Sequence, residues 1–338
     1  MNIIIPMAGM GKRMRPHTLT TPKPLLPVAG KPIVQRLVED IAEVIQDKID
    51  EIGFVIGDFG PEAEAGLLEI AASVGAKGSI HYQHEALGTA HAILCAGPLL
   101  NGKVIVAYAD TLFKADFSLD DDKEGIIWVS KVENPRQFGV VKLREDGSIQ
   151  GFHEKPKEFV SDLAIIGIYY FKDGENLHKE LQYLLDQKIT TGGEYGITDA
   201  LQNMMKKGVS FHTDRVDEWL DCGNKEATLD TNRRVLELKA DEMNLPEEAD
   251  LDDVIIIDPC FIGKGAVIVK SIIGPYASIG EGSRISHTVI RNSIVQKHAV
   301  IENKLIENSM IGNYTQVSGR FDELSLGDYN QVSQLPTK

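Results

Sequence analysis

The chain has 338 residues, of which 43% are hydrophobic and 25% are charged, and its formal net charge is −15. This length indicates two domains, and the composition is that of an ordinary soluble globular protein. The apolar runs are too short to span a bilayer, and the first residues lack the pattern of a signal peptide. The acidic balance argues against nucleic-acid binding, which needs an extended basic patch. We therefore expect neither a membrane nor a nucleic-acid partner.

Three cysteines, Cys95, Cys222 and Cys260, are scattered along the chain. They form neither a metal-ligand spacing nor an even disulfide framework. Because unpaired cysteines are typical of a reducing compartment, the sequence predicts a cytoplasmic protein.

The opening stretch combines an apolar strand, a glycine-rich turn and a proline-rich loop. No acidic residue occurs between residues 1 and 32. The cations there are Lys12, Arg13, Arg15, Lys23 and Lys31. Although a glycine turn often has only a structural role, a local excess of cations in an acidic chain needs a reason. It indicates an anionic ligand, such as phosphate, held by backbone amides and fixed cations.

The spacing of the glycines excludes two common phosphate-binding motifs. The dinucleotide fingerprint requires a third small residue where Met14 stands, and no Gly-Lys-Ser/Thr opens a helix as in a P-loop. Pro22 and Pro24 flank Lys23 and restrict the backbone on both sides of it. This restriction suits a cation that must be held in one place.

The first half of the chain alternates strand and helix patterns. Helices are predicted over residues 33–48 and 61–74, and strands over residues 52–56 and 79–83. This alternation predicts an α/β fold with a Rossmann-like, mostly parallel sheet covered on both faces. Ligands bind such sheets at the carboxyl ends of the strands, where the cationic loop lies.

Two later segments carry further candidates. Gln83 precedes the pair Gly88 and Thr89, and a glutamine amide can both donate to and accept from the edge of a base. The structural alternative is a glycine turn at the start of a helix. Asp110 follows an apolar strand, and a single aspartate at such a position is more often a cap for the next turn.

The opening stretch carries the pattern Ala8-Gly9-x-Gly11-x-Arg13, then Pro22-Lys23-Pro24, then Lys31-Pro32. This pattern closely resembles the signature of the sugar-1-phosphate nucleotidyltransferases. Where the family usually has a second glycine and a threonine, this chain has Met10 and Lys12, which changes the lining of the loop. The resemblance implies transfer of a nucleotidyl group from a nucleoside triphosphate to a sugar 1-phosphate, with release of pyrophosphate.

The resemblance also implies a role for individual residues. Arg13 would clamp the triphosphate and the leaving pyrophosphate, and Lys23 would bring the reacting phosphates together. Asp110 and Asp221, the latter in a segment that resembles the family's Trp-x-Asp-x-Gly, would hold Mg²⁺. The implied nucleotide-binding residues are Ala8, Gly9, Gly11, Lys12, Gln83, Gly88 and Thr89. The implied sugar-phosphate-binding residues are Gly139, Glu154, Lys155, Gly167 and Glu194.

The last part of the chain has a different pattern. From Val254 on, short apolar segments recur about every six residues, which predicts a parallel β-helix with one core shared between coils. It resembles the left-handed β-helix of many nucleotidyltransferases. We expect a catalytic domain over 1–240, an acidic linker over 241–253 and a β-helix over 254–338. The β-helix is expected to support a homo-oligomer, although acyl transfer by His287 or His298 is an alternative.

The sequence leaves several substrates and functions open. A two-domain chain of this size resembles the long thymidylyltransferases, which implies dTTP and glucose 1-phosphate. The segment at Gln83 is similar to that of the uridylyltransferases, which implies UTP with glucose or N-acetylglucosamine 1-phosphate. GTP with mannose 1-phosphate is a further option. The rival functions are a catalytically inactive ligand-sensing homologue and an acyltransferase that only binds a nucleotide sugar.

Overall fold

The computed structural model describes residues 1–45, 47–115, 119–120 and 122–319. The chain divides into two compact units, Met1–Leu238 and the part from Lys239 on. Each unit has a hydrophobic core of its own. Among the described residues, no helix is both long enough and apolar enough to cross a membrane.

The first unit is built from alternating strands and helices. Its strands are β1 (Asn2–Pro6), β2 (Pro27–Val28), β3 (Lys31–Pro32), β4 (Glu51–Ile56), β5 (Lys77–Tyr82), β6 (Val104–Ala107), β7 (Thr111–Lys114), β8 (Gly125–Lys131), β9 (Gly139–Leu143), β10 (Ile149–Glu154), β11 (Leu163–Phe171), β12 (Phe211–Arg215) and β13 (Glu218–Asp221). Its helices are α1 (Ile33–Val44), α2 (Pro61–Ser73), α3 (Thr89–Cys95), α4 (Gly174–Asp186), α5 (Ile197–Lys206) and α6 (Lys225–Leu238). Short 3₁₀ turns cover Lys12–Met14 and Lys23–Leu25 in the opening loop.

The main sheet has the strand order β10-β9-β11-β6-β1-β4-β5, and β8 and β12 extend it from β11. Strands β6, β1, β4 and β5 are parallel, which confirms the predicted Rossmann-like sheet. Strand β11 pairs antiparallel with β6, β8 and β9, and β10 pairs antiparallel with β9, whereas β12 pairs in parallel with β8. The sequence did not indicate the direction of these strands, because an apolar run does not encode it.

The parallel half of the sheet places the cationic loop. Ile3, Ile4 and Ile5 of β1 are fully buried, as expected for a central strand that is covered on both faces. Helix α1 begins directly after Pro32, but it ends at Val44 and is shorter than the predicted helix over 33–48. The segments after β1, β5 and β6 all leave the carboxyl ends of parallel strands, so they meet at one edge of the sheet.

The second unit is an all-parallel stack of short strands, the arrangement of the predicted left-handed β-helix. Its strands are β14 (Asp250–Ile256), β15 (Phe261–Ile262), β16 (Val267–Ile273), β17 (Ala277–Ile279), β18 (Arg284–Ser286), β19 (Val289–Arg291), β20 (Ser293–Val295), β21 (Val300–Glu302), β22 (Leu305–Glu307), β23 (Met310–Ile311) and β24 (Gln316–Ser318). The inward residues Ile268, Ile285 and Ile301 lie in register and are buried. They form part of the shared core that the six-residue repeat predicted. The predicted domain extends to residue 338, and its last part, 320–338, lies outside the described residues.

The acidic segment is only partly a linker. Strand β14 begins at Asp250 and pairs in parallel with β16, so residues 250–253 belong to the first coil. Leu251 packs against the core, whereas Asp252 is exposed, so the acidic residues here decorate the outer face of a strand. His287 and His298 have positive φ angles of 49° and 55° and lie at corners of the coils.

The β-helix core yields a prediction about stability. We expect Ile285→Ala to lower the free energy of unfolding of the full chain by about 2–5 kcal/mol, because it leaves a cavity in a packed stack. The control is Ile255→Ala, because this side chain is 59% exposed and its removal should cost at most about 0.5 kcal/mol. Urea denaturation of both variants measures the difference, and equal losses would contradict the assigned inward and outward faces.

Candidate active site

One cleft at the carboxyl edge of the parallel strands brings together most of the predicted site residues. It has a volume of about 580 Å³. The predicted residues that line it are Ala8, Gly9, Gly11, Lys12, Arg13, Lys23, Gln83, Gly88, Thr89, Asp110 and Glu194. The lining residues that were not predicted include Met7, Ala86, Tyr108, Ala109 and Gly223.

The glycine loop packs directly on the stem of the lysine that follows it. Gly11 has a left-handed backbone with φ 55° and starts the 3₁₀ turn that contains Lys12 and Arg13. A Cβ atom at Gly11 would lie 2.9 Å from the Cβ atom of Lys23, so a larger residue does not fit without a shift. Met14 is buried beneath the turn, and Lys12 and Arg13 are exposed at the cleft.

Lys23 is buried and forms an ion pair with Asp110. Only 7% of Lys23 is exposed, and its Nζ atom lies 2.7 Å from Oδ2 of Asp110. Lys31, which the sequence counted among the loop cations, instead forms an ion pair with Glu39. Arg15 is exposed and does not line the cleft. Of the five cations in the loop, Lys12, Arg13 and Lys23 therefore line the cleft, whereas Arg15 and Lys31 do not.

The second predicted metal ligand reaches the first through strand pairing. Strand β13 pairs antiparallel with β7, and the N–H of Cys222 donates to the backbone oxygen of Asp110 at 3.0 Å. Asp221 does not itself line the cleft, but burial and the charge of Asp110 raise the pKa of its carboxyl. Lys23 and Arg13 act in the opposite direction on that pKa. The two carboxylates are therefore close enough to interact.

This pair of carboxylates fits a divalent cation. Mg²⁺ is usually bound by one or two carboxylates together with substrate phosphates and water, not by a complete protein cage. Among the described residues, no group of three or more His, Cys, Asp and Glu side chains is arranged to hold a metal. A cation held by Asp110 and Asp221 would thus complete its coordination with other oxygen ligands.

Gln83 is held by its own loop. Its Nε2 atom donates to the backbone oxygen of Gly88 at 3.1 Å and lies 3.0 Å from Nδ1 of His91. The sequence suggested that both ends of the amide could read a base, but these contacts occupy the nitrogen. His91 was not predicted, and its place in the first turn of α3, two residues after Thr89, was the available signal.

A hydrogen-bonded seam joins the segment after β5 to the segment before α5. The N–H of Tyr195 donates to Leu87 O at 2.8 Å, and the N–H of Ala90 donates to Tyr195 O at 2.9 Å. Thr89 Oγ1 accepts from the N–H of Ile197 at 3.1 Å. We call these contacts the 87–197 seam. It brings the neighbouring residue Glu194, which was predicted on the sugar side, to the cleft.

The other sugar-side candidates lie on or next to the antiparallel strands and do not line the cleft. Glu154 pairs with Gly139 across β10 and β9, and its side chain lies 3.4 Å from Nζ of Lys155. A Cβ atom at Gly167, where φ is 91°, would lie 2.8 Å from the ring of Tyr108. Gly167 thus makes room for a ring that lines the cleft, and its role towards a sugar stays a prediction.

Tyr108 adds a buried hydroxyl beside the predicted residues. Burial raises the pKa of this hydroxyl to about 12, although interactions with the side chains of Thr89 and Tyr169 act in the opposite direction. The hydroxyl therefore stays protonated at neutral pH. The position of Tyr108 at the carboxyl end of β6, two residues before Asp110, could have identified it from the sequence.

Gly88 gives a prediction about binding. It has φ 114°, and a Cβ atom there would lie 2.5 Å from the backbone oxygen of Tyr195. We expect Gly88→Ala to weaken nucleotide binding by about tenfold or more. The added Cβ atom would collide with backbone and not with a flexible side chain, so the 87–197 seam itself would have to shift. Titration calorimetry with a nucleoside triphosphate measures the affinity.

The control for this prediction is Gly60→Ala. Gly60 also has a positive φ, of 80°, but a Cβ atom there meets nothing within 4 Å, and Gly60 does not line the cleft. The control should lose some stability through backbone strain and keep its affinity. Equal affinities in the two variants would show that the close approach at Gly88 has no part in binding.

Comparison with known proteins gives the class of this protein. The model of the family described as nucleotidyl transferase matches residues 2–237, which cover the whole α/β sheet and the cleft. The chain therefore belongs to the nucleotidyl transferase family. The cationic glycine loop at the carboxyl edge of the sheet lies within the matched part.

Individual relatives match over most of this chain. A glucose-1-phosphate thymidylyltransferase of Streptomyces griseus is 29% identical over 360 residues, which cover 98% of this chain and 99% of the relative. The low-salt glycan biosynthesis nucleotidyltransferase Agl11 of Haloferax volcanii is 31% identical over 312 residues, 85% of each chain. A crystal structure assigned as a glucose-1-phosphate thymidylyltransferase from Bacillus anthracis has a TM-score of 0.59 and 24% identity, and it covers 73% of this chain and 97% of that one. This last likeness concerns the fold alone.

Proposed function

We propose that this chain transfers a nucleotidyl group from a nucleoside triphosphate to a sugar 1-phosphate and releases pyrophosphate. The observation that carries the proposal is the contact between Lys23 and Asp110, at 2.7 Å, in a cleft that Arg13 and the glycine loop also line. A cation suited to binding phosphate thus lies beside a carboxylate suited to binding Mg²⁺, which supports the proposal. The name of the Streptomyces griseus relative supports the same reaction.

The loop would bind the triphosphate. The backbone at Gly9 and Gly11 can approach phosphate oxygens closely, and Arg13 offers a planar fork of donors that matches them. Lys12 lines the same cleft and would add a third positive group. Gln83 and Gly88 would contact the base at the other end of the cleft, with the oxygen of the Gln83 amide as the accepting atom.

The reaction is a displacement at the α-phosphorus. An oxygen of the sugar 1-phosphate forms a bond to this phosphorus, and the bond to the bridging oxygen of the leaving pyrophosphate breaks. Catalysis then consists of positioning and of stabilising charge, with no covalent step on the protein. Arg13 would stabilise the leaving pyrophosphate, and Lys23 would offset the repulsion between the two reacting phosphates.

The remaining roles complete the proposal. Asp110 and Asp221 would hold Mg²⁺, which neutralises and orients phosphate oxygens when it is bound. Glu154, Lys155 and Glu194 would bind the sugar hydroxyls and the sugar phosphate. Gly139 and Gly167 would let the backbone approach the sugar.

A matrix of substrates tests the proposed function. Each of dTTP, UTP and GTP is combined with glucose, N-acetylglucosamine and mannose 1-phosphates in the presence of Mg²⁺, and pyrophosphate release is measured. We expect the highest rate with dTTP and glucose 1-phosphate, and the next highest with UTP. Release with none of these pairs would contradict the proposal and favour an inactive ligand-sensing homologue.

The β-helix would serve assembly. We propose that the full-length chain forms a homo-oligomer through this unit in the cytoplasm. His298 stacks on Tyr314 with ring centroids 5.0 Å apart, so one of the two histidines considered for acyl transfer has a structural partner. Sedimentation of the full chain tests the assembly, and consumption of acetyl-CoA with an amino-sugar acceptor would favour the acyltransferase alternative.

A further inference from the structure

The ion pair in the cleft joins a buried lysine to an aspartate whose side chain is 40% exposed, and it occupies a carboxylate oxygen that a metal at Asp110 would need. Lys23 Nζ lies 2.7 Å from Asp110 Oδ2, and only 7% of the lysine is exposed. An ammonium and a divalent cation compete for a carboxylate oxygen, since both are bound by its negative charge. The inference that follows rests on the proposed function, because that function assigns Asp110 to Mg²⁺ and Lys23 to phosphate.

The backbone around Lys23 fixes the base of the side chain but not its tip. Lys23 opens a 3₁₀ turn between Pro22 and Pro24, and Gly11 approaches its stem closely. The four-carbon stem can still turn its ammonium to another acceptor nearby. Gly11, Arg13 and Lys23 all line the cleft, and a Cβ atom at Gly11 would lie 2.9 Å from that of Lys23, so a phosphate bound by the loop would be within reach of the same ammonium.

We propose that Lys23 is a placeholder for the metal: its ammonium holds Asp110 until a metal and a triphosphate enter together, and it then moves from the carboxylate to phosphate. The exchange replaces one cation by another at Asp110 Oδ2 and gives the displaced ammonium a new anionic partner. A metal that enters alone must break a charge-assisted hydrogen bond that nothing replaces. Metal and nucleotide binding are therefore positively coupled, and the coupling is reciprocal.

Metal binding to the full-length chain without nucleotide tests this proposal. Mn²⁺ takes the same oxygen ligands as Mg²⁺, and its free concentration is measured by electron paramagnetic resonance. We expect Lys23→Met to bind Mn²⁺ alone about tenfold or more tightly than the unchanged chain, on the scale of one charge-assisted hydrogen bond. Addition of a nonhydrolysable nucleoside triphosphate should tighten Mn²⁺ binding strongly in the unchanged chain and much less in the variant.

Lys12→Met is the matched control. It removes the same charge from the wall of the same cleft, but Lys12 is exposed and has no ion pair among the described residues. We expect it to change the affinity for Mn²⁺ alone by less than about threefold, because exposed charges are largely screened. The double variant Lys23→Met with Asp110→Asn should lose the gain of the single variant.

The proposal is overturned if Lys23→Met binds Mn²⁺ alone no more tightly than Lys12→Met does. Lys23→Gln, with a neutral polar side chain of similar length, is the second variant if the methionine variant does not fold. Failure of the proposed function looks different, because the unchanged chain would then release no pyrophosphate in the substrate matrix. The metal measurements do not depend on turnover, so the two failures can be told apart.

Discussion

Arg13→Ala is expected to lower kcat by about 10²–10⁴ while the fold stays intact. Arg13 lines the cleft, is exposed and forms no ion pair within the described ranges, so its charge is available to a ligand. Removal of one fixed donor that stabilises developing charge typically costs about 10²–10³ in kcat, and loss of a bidentate clamp on a leaving pyrophosphate adds to this. The exposed side chain contributes little to stability, at most about 0.5 kcal/mol.

Pyrophosphate release at saturating substrates measures the effect, together with the melting temperature. Arg15→Ala is the control, because Arg15 lies in the same loop, carries the same charge and does not line the cleft. Its kcat should stay within about threefold of that of the unchanged chain, since exposed charges act weakly at a distance. Similar losses in both variants would mean that the loop acts through its total charge and not through Arg13.

Asp221→Asn is expected to lower kcat by about 10²-fold or more without any loss of stability. The loss of activity follows from the removal of one of two oxygen ligands proposed for Mg²⁺. Stability is expected to be kept because burial and the charge of Asp110 raise the pKa of the Asp221 carboxyl. A carboxyl whose folded pKa is raised destabilises the folded state at neutral pH, where it must be ionised.

The neutral asparagine removes that penalty, and its side-chain oxygen can still accept from the N–H of Gly223, which lies 3.0 Å from Asp221 Oδ1. The melting temperature at pH 7 should therefore stay the same or rise. The difference in melting temperature between the variant and the unchanged chain should shrink as the pH falls towards the ordinary pKa of an aspartate. Asp221 then becomes protonated in the unfolded chain as well as in the folded one. Asp58→Asn, at an exposed carboxylate after β4, is the control and should change neither quantity. A lower melting temperature with normal kcat would contradict both parts.

The sequence predicted the elements whose signal is local. The buried strand at residues 3–5 was visible because a parallel central strand is apolar throughout, and α1 because its buried face recurs at helical spacing. The β-helix was visible because its core positions repeat. The start of β14 within the acidic segment was missed, because acidic residues on the outer face of an edge coil look like a linker when only composition is considered.

The parts of the site that lie within one short stretch of sequence could be predicted, and the contacts between residues far apart in the sequence could not. The cationic loop stood out through charge and glycine spacing alone. The partnership of Asp110 with Asp221 came only from a family resemblance, because it depends on the pairing of β13 with β7 across about a hundred residues of chain. The ion pair between Lys23 and Asp110 had no sequence signal at all. Such contacts arise from tertiary structure, which periodicity and propensity do not encode.

The 87–197 seam limits how this enzyme could be re-engineered. Backbone hydrogen bonds of Leu87 and Ala90 with Tyr195 join two segments of the chain. One is the segment proposed to contact the base, and the other is the segment that carries Glu194. A segment transplanted from a relative that uses another base or sugar would have to form the same backbone hydrogen bonds with the segment that was kept. It would also have to leave no side chain at position 88, because a Cβ atom at Gly88 would collide with the backbone of Tyr195. The two halves of substrate choice should therefore be exchanged as one cassette.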